Sequence, residues 1–228
     1  MVWMYSERMN VLITGANGGL GTAVCQEFIG SGAKVIGVAR AWDTAVPFAT
    51  ISADVSTAEG CESMVKQALE HGPLDALVHL VGGFAGGSGV AETSDEIWDK
   101  MMNINLRAAF CCVRAALKPM QAAGRGRIVA VGTRMAVEPS PNFAAYAVSK
   151  AALVALIRNV AAEGQKFGVT ANVILPSTIN TPVNRAAMPK ADYSRWVKPE
   201  SIAKLLVFLV SDAAAETSGA VIPIYGRA

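Results

Sequence analysis

An α/β fold on a mostly parallel sheet is what this sequence predicts, on three observations. Short apolar runs alternate with longer helical patterns along the chain. The runs are apolar throughout, so both faces of their sheet must be covered by helices. With 228 residues, 52% of them apolar, the chain can bury one sizeable core without metal or disulfide staples. One domain over residues 1–228 is therefore expected.

Each element has its own justification. Asn10 to Ile13 is a β-branched-rich strand that runs into a glycine turn, and Leu20 to Ile29 reads as a helix ending near Gly30 and Gly32. Lys34 to Val38 and Ala49 to Ala53 are the second and third strands. The stretch between them is too short for a crossover helix, so one turn or less is expected around Asp43 to Pro47. Thr57 to Glu70 is helical, with Thr57 and Glu59 at its start, and Asp75 to Val81 is the fourth strand. Ser94 to Met120 fits a long helix with room for a bend. Arg127 to Val131 is the fifth strand, Phe143 to Phe167 a second long helix, and Thr170 to Leu175 the sixth strand. Pro199 to Val210 opens with proline, which suits a first helical turn, and Ala220 to Ile224 closes the chain as a seventh strand. Right-handed crossovers then give a single doubly wound Rossmann-type domain: a seven-stranded, mostly parallel sheet with helices on both faces. Ligands in such sheets bind beyond the carboxyl ends of the strands.

Composition removes several function classes. Charged residues make up 17%, against roughly 25% in an average soluble chain. With so many apolar groups, intrinsic disorder is excluded. The formal charge of +2 and the lack of a Lys/Arg run give no footing for nucleic acid. Arg158, Lys204 and Asp212 interrupt the apolar runs near Ala151 and Ile202, well short of the roughly 20 residues a membrane span needs. The first ten residues, with Glu7 and Arg8, lack a hydrophobic signal core. Cys25, Cys61, Cys111 and Cys112 show no metal spacing, and scattered thiols suit a reducing cytoplasm. His71 and His79 read as structural, and Met101-Met102 as core filler.

Two motifs carry chemistry. Thr14-Gly15-Ala16-Asn17-Gly18-Gly19-Leu20-Gly21 follows a strand and opens a helix. Its glycines let the backbone turn tightly and approach a pyrophosphate, which free amides at the helix N-terminus then hold. Gly15, Asn17, Gly18, Gly19, Leu20 and Gly21 are therefore candidate dinucleotide contacts; a purely packing role is the plainer alternative. No Gly-Lys-Ser/Thr follows, so the turn is not a P-loop. The second motif is Tyr146 and Lys150, four apart at the start of a long helix and so on one face. A phenol titrates near ~10, and a nearby ammonium favours its ionised form. The pair can pass a proton to a carbonyl oxygen or take one from an alcohol.

Thr-Gly-x3-Gly-x-Gly, taken with Tyr146-Ala-Val-Ser-Lys-Ala-Ala-Leu153, resembles the short-chain dehydrogenase/reductase family. The resemblance implies a nicotinamide dinucleotide cofactor, hydride transfer to or from a small carbonyl or alcohol substrate, and catalytic roles for Tyr146, Lys150, Thr133 and Asn105. Thr133 stands where the family has Ser, thirteen residues before the Tyr; Asn105 matches the helix Asn that holds a relay water. Asp54 and Val55 match the adenine contact. Val81, Gly82 and Gly83 lie where backbone meets the adenosine ribose, although His79-Leu80-Val81-Gly82 replaces the family's Asn-Asn-Ala-Gly. Pro176, Ser177, Ile179 and Thr181 match the nicotinamide side, with Ser177 in place of the family's Gly; its turn should avoid positive φ. The end of the second strand holds Ala39-Arg40 rather than an Asp for the ribose 2′-hydroxyl. A guanidinium there can pair with a 2′-phosphate, which favours NADP(H) over NAD(H), with Asp43 near enough to compete. The two long helices imply the family's four-helix interface, hence a homodimer or homotetramer.

Asn180 to Val197 is long for its connection and carries Met188, Tyr193 and Trp196, as a lid would. Trp196 reads equally as pocket wall or latch. Phe84, Arg134, Met135 and Phe143 are further candidates for the pocket. Val81-Gly-Gly-Phe-Ala-Gly-Gly87 and the lid segments Leu175 to Arg185 and Met188 to Trp196 are similar to quinonoid dihydropteridine reductases. The Ala39-Arg40 pair and the hydroxyl at Thr133 depart from those enzymes, leaving reduction of a quinonoid pterin as the alternative activity. A dinucleotide-binding regulator without turnover is the other alternative. It would have no need of Tyr146, Lys150 and the Thr133 hydroxyl together.

Overall fold

Seven strands lie in the order β3-β2-β1-β4-β5-β6-β7, and every neighbouring pair runs parallel in a computed structural model that describes residues 9–227. The leading segment with Glu7 and Arg8 lies outside the described residues. In chain order the elements are β1 (Asn10–Thr14), α1 (Gly21–Gly30), β2 (Lys34–Ala39), β3 (Ala49–Ser52), α2 (Ala58–Leu69), β4 (Ala76–His79) and α3 (Asp95–Met102). There follow α4 (Ala108–Ala123), β5 (Gly126–Val131), α5 (Ala144–Gly164), β6 (Val169–Pro176), α6 (Pro182–Ala187), α7 (Pro199–Val210) and β7 (Val221–Ile224). The sheet expected to be mostly parallel is parallel throughout. Pro223 is tolerated in β7 because that strand pairs only with β6 and lies at the edge.

Alternate residues of the strands serve two cores. Leu12, Leu77 and Ile128 pack beneath α2, α4 and α5, while Val11, Val78 and Val129 pack beneath α1 and α7. The strands therefore read as unbroken apolar runs, as a doubly covered parallel sheet requires. Between β2 and β3 there is no helix, as the short spacing predicts. Trp42 and Phe48 fold over β2 instead, their rings 5.8 Å apart and edge-on. Gly37 makes room for them: a Cβ there would lie 2.5 Å from the Phe48 ring.

The long helix expected over Ser94 to Met120 is interrupted. α3 and α4 are joined by a π-helical turn, Asn103–Arg107, and α4 runs on to Ala123 before Gly124 ends it in the left-handed region. Such a turn accommodates one extra residue and re-aims the side chains around it, a feature frequent at functional sites. The fourth strand is shorter than expected and the sixth longer, since Leu80 to Gly83 leaves the sheet whereas Pro176 still pairs with Ile224. Thr57 caps α2 by accepting from the Gly60 N–H at 3.0 Å. α5, with the 3-10 turn after it, is long and apolar enough to cross a membrane. In this fold it packs against β6 and carries buried Ser149 and Lys150.

Candidate active site

All seven strands point their carboxyl ends to one edge, and the chain reverses direction of travel between β1 and β4. A crevice opens at that switch point. The glycine turn fills one side of it. Gly15 has φ 73, which a side chain would strain, and its N–H and that of Ala16 both donate to the Val38 carbonyl, at 2.9 and 3.1 Å. A Cβ at Gly21 would lie 2.2 Å from the Gly15 oxygen, so only glycine lets α1 start this close to the turn. Asn17, Gly18 and Gly19 are exposed, and Leu20 is half-buried at the N-cap of α1. Asn17 reaches across to the chain after β2, donating to the Ala41 carbonyl at 3.0 Å beside exposed Arg40.

The other predicted cofactor residues gather on the same edge. Thr181 is buried against Gly19, where an added Cβ would come within 3.2 Å of it, and it caps α6 by accepting from the Asn184 N–H. Val81 lies against Gly15. Asp54 is exposed and its carboxylate accepts from the Ser56 N–H and hydroxyl at 2.9 and 2.7 Å; these bonds hold its pKa below the usual carboxylate value. Because Thr57 serves as the helix cap, Asp54 is not needed there. Val55 is buried beneath it. Pro176 ends β6 buried, and Ile179 pairs with Val197 across the loop. Ser177 has no positive φ, as expected. Its hydroxyl donates to the Tyr225 carbonyl at 2.7 Å and its N–H to the Ile224 carbonyl at 3.3 Å, so Ser177 is tied to the C-terminal segment.

The proposed acid/base groups meet at the ends of β4 and β5. Thr133 follows β5 and is buried, and its hydroxyl accepts from the Met135 N–H at 3.4 Å while drawing the Tyr146 pKa down. Lys150, one helical turn below Tyr146, is buried and donates to the Val131 carbonyl at 2.8 Å. Burial pulls its pKa down to about 8. A Cβ on Gly82 would lie 2.9 Å from the Lys150 Nζ and 3.0 Å from the Asn105 Oδ1, so a side chain there would press on both groups where they converge. The lowering of Tyr146 by Lys150 expected from the sequence is not what the geometry produces. Burial raises the Tyr146 pKa, and the opposing pull comes from Thr133.

Asn105 is wholly buried on the π turn and clamps Gly83 on both sides. Its Oδ1 accepts from the Gly83 N–H at 2.9 Å, and its Nδ2 donates to the Gly83 carbonyl at 3.1 Å. The same Nδ2 reaches the Ser149 hydroxyl at 3.1 Å, and that hydroxyl donates to the Tyr146 carbonyl at 2.8 Å. Ser149 was not singled out from the sequence, although its place inside Tyr-Ala-Val-Ser-Lys was the available signal. His79, read from the sequence as structural, ties two strands together. Its ring Nδ1 is 2.9 Å from the Thr14 hydroxyl, tying β4 to the start of the glycine turn. Burial, with a smaller push from Lys150, drops its pKa to about 3, so the ring is neutral.

Arg134, a pocket candidate, is engaged elsewhere: its Nε meets Glu138 at 2.6 Å and its guanidinium lies 4.8 Å over the Tyr225 ring. Met135 is half-buried beside it. In the loop after β6, Arg185 lies over Tyr193, and Tyr193 contacts Trp196 at 4.8 Å, so Trp196 belongs to a stack within that segment.

A family model described as short chain dehydrogenase matches residues 9–192. Over 226 residues the chain is 31% identical to the 3-oxoacyl-[acyl-carrier-protein] reductase MabA of Mycobacterium bovis, covering 95% of this chain and 91% of that one. Among solved structures, ElxO with NADP bound superposes with a TM-score of 0.91 at 24% identity, over 96% of this chain and 98% of that one. The gox2181 structure gives 0.90 at 27% identity, over 97% and 96%.

Proposed function

Because the chain belongs to the short-chain dehydrogenase/reductase family and is an NAD(P)-dependent oxidoreductase, we propose that it uses NADP(H) to interconvert a carbonyl and an alcohol, with Tyr146 as the acid/base. The observation that carries this reading is the convergence of Tyr146, Thr133 and Lys150 at the carboxyl ends of β4 and β5, beside the glycine turn. The turn fits a dinucleotide: its exposed glycines form a cradle that side chains would fill, at the amino end of α1. When bound, the nicotinamide supplies or accepts the hydride. Everything else falls to the protein.

Thr133 offers a hydroxyl to the substrate oxygen and to the Tyr146 phenol together. Burial keeps that phenol protonated at neutral pH, so Tyr146 can donate its proton when a carbonyl is reduced. Lys150 anchors the cofactor ribose with its ammonium. Asn105 and Ser149 hold Gly83 and the first turn of α5 in register. Gly15, Asn17, Gly18, Gly19, Leu20 and Gly21 take the pyrophosphate, Arg40 the 2′-phosphate, and Asp54 and Val55 the adenine. Val81, Gly82 and Gly83 take the ribose, and Pro176, Ser177, Ile179 and Thr181 the nicotinamide end. The whole chain serves as one catalytic domain, in a homodimer or homotetramer. Its four unpaired, buried thiols suit a reducing cytoplasm.

The test is a fluorescence titration of NADPH against NADH on wild type and Arg40→Ala, with turnover measured for Tyr146→Phe. NADPH should bind more tightly, and the preference should collapse in Arg40→Ala. Tyr146→Phe should lose about 10²–10⁴-fold in kcat while keeping its NADPH affinity. Normal turnover by Tyr146→Phe would sink the assignment. Equal or tighter NADH binding would overturn the Arg40 reading and make a quinonoid pterin the next substrate to try.

A further inference from the structure

Phe84 stands beside the acid/base phenol and is still 61% exposed. Its ring meets the Tyr146 ring edge-on, with centroids 5.0 Å apart and planes at 77°. It meets Phe143 at 5.4 Å, tilted by 37°. The three rings make one continuous π surface whose polar tip is the Tyr146 hydroxyl.

That surface is held in place by several contacts. A Cβ at Gly86 would lie 2.2 Å from Phe143 Cδ1 and 2.9 Å from the Asn142 carbonyl oxygen, so glycine alone lets the Phe84 loop lie against Phe143. The Gly87 N–H donates to that Asn142 carbonyl at 2.8 Å. Asn142 itself holds φ 69, a left-handed conformation that costs a residue with a side chain and that Asn tolerates better than most. A loop of glycines and a strained Asn therefore fix an exposed phenyl ring against the catalytic tyrosine. Arg134, which precedes Phe143 on the same connection, is bound by Glu138 and Tyr225.

We propose that the substrate carries its carbonyl conjugated to an aromatic ring, and that Phe84, backed by Phe143, is the residue that selects it. The proposal rests on the oxidoreductase reading above. A ring conjugated to a carbonyl is coplanar with it, so an oxygen seated on Thr133 and Tyr146 brings the ring to the Phe84–Phe143 surface. There it pairs edge-to-face or offset with the phenyl groups, an attraction a saturated ring of the same outline lacks. In the reaction the carbonyl carbon gains the hydride of the reduced nicotinamide. The C=O π pair moves to oxygen, and oxygen takes the Tyr146 proton. The ketone is thus reduced to the alcohol as the nicotinamide is oxidised.

The experiment compares acetophenone with cyclohexyl methyl ketone, which share a carbon count and differ in the π system. kcat/KM is measured for wild type, Phe84→Leu and Phe84→Trp with saturating NADPH. Calorimetric binding of 1-phenylethanol and 1-cyclohexylethanol gives a readout independent of turnover. Wild type should prefer the aryl ketone. Phe84→Leu should cut the aryl-to-cyclohexyl ratio by about fivefold, through KM, with a similar loss in 1-phenylethanol affinity relative to its saturated partner. Phe84→Trp should keep the ratio. Turnover of both ketones with no aryl preference, or a ratio unmoved in Phe84→Leu, overturns the aryl proposal alone, and so does a preference for a straight-chain 3-oxoacyl thioester. No turnover of any carbonyl, with NADPH bound, overturns the carbonyl–alcohol reading and this proposal with it.

Discussion

At Lys150 an ammonium is 5% exposed on the floor of the site, and burial draws its pKa down to about 8. The unfolded chain holds its lysines near ~10.4, so between about pH 8 and ~10.4 it binds more protons than the folded protein does. Stability therefore rises with pH across that window, and the burial cost is present in full below it. Lys150→Met removes that cost at the expense of catalysis. At pH 7 the variant should melt a few degrees above wild type, at about 2–4 °C per kcal/mol for a chain of this size. Thermal melts from pH 7 to ~10 check this: the gap must close as wild-type Lys150 loses its proton. A gap constant with pH would mean that the ammonium is not the source. Tyr146 and Lys150 could be found from spacing alone because a helix turns four residues into one face, whereas Thr133 came only from the family resemblance. The actual partner of Lys150, the Val131 carbonyl, could not, since it lies nineteen positions away on a strand end.

At the scale of the element, the glycine turn is the segment with the least room for change. Gly21 sits where a Cβ would press on the oxygens of Gly15 and Ala16 at 2.2 and 2.5 Å, both backbone atoms that cannot rotate aside. Gly21→Ala must open the turn. It should lower stability by about 1–3 kcal/mol, read by urea unfolding, and weaken NADPH by at least about tenfold. An unchanged affinity would show that this turn does not hold the cofactor. The bent helix teaches a different lesson. The pattern over Ser94 to Met120 is helical throughout, because a π turn leaves the apolar face nearly continuous. Only the packing of Asn105 against Gly83 and Ser149 shows where the extra residue is housed.

For the whole molecule, the outer faces of α4 and α5 keep Phe110 and Val148 44% and 43% exposed, and Arg114 lies 5.1 Å over the Phe110 ring. If these helices form the subunit interface, Phe110→Glu puts a carboxylate, beside Arg114, where an apolar ring would be buried, at a desolvation cost. Wild type should elute from size exclusion with light scattering as a dimer or tetramer, and Phe110→Glu should shift toward monomer at micromolar concentration. A wild-type monomer would remove the interface.

Read alone, the sequence determined the sheet, its helical layers, the glycine turn and the Tyr146–Lys150 pair, because each rests on periodicity or on spacing within one element. It also determined that β2 and β3 are joined without a helix, since so few residues separate them. The tertiary structure alone decided what lies between elements. It put His79 against Thr14, Asn105 around Gly83, Ser149 beneath Tyr146, and Phe84 beside the phenol through Gly86 and Asn142. It also turned Arg134 away to Glu138 and Tyr225, and it raised the Tyr146 pKa where spacing to Lys150 implied a fall. The physical reason is common to all of these. A hydrogen bond or a desolvation cost depends on distance and burial in space, and residues far apart in the chain acquire both only when the sheet brings its strand ends together.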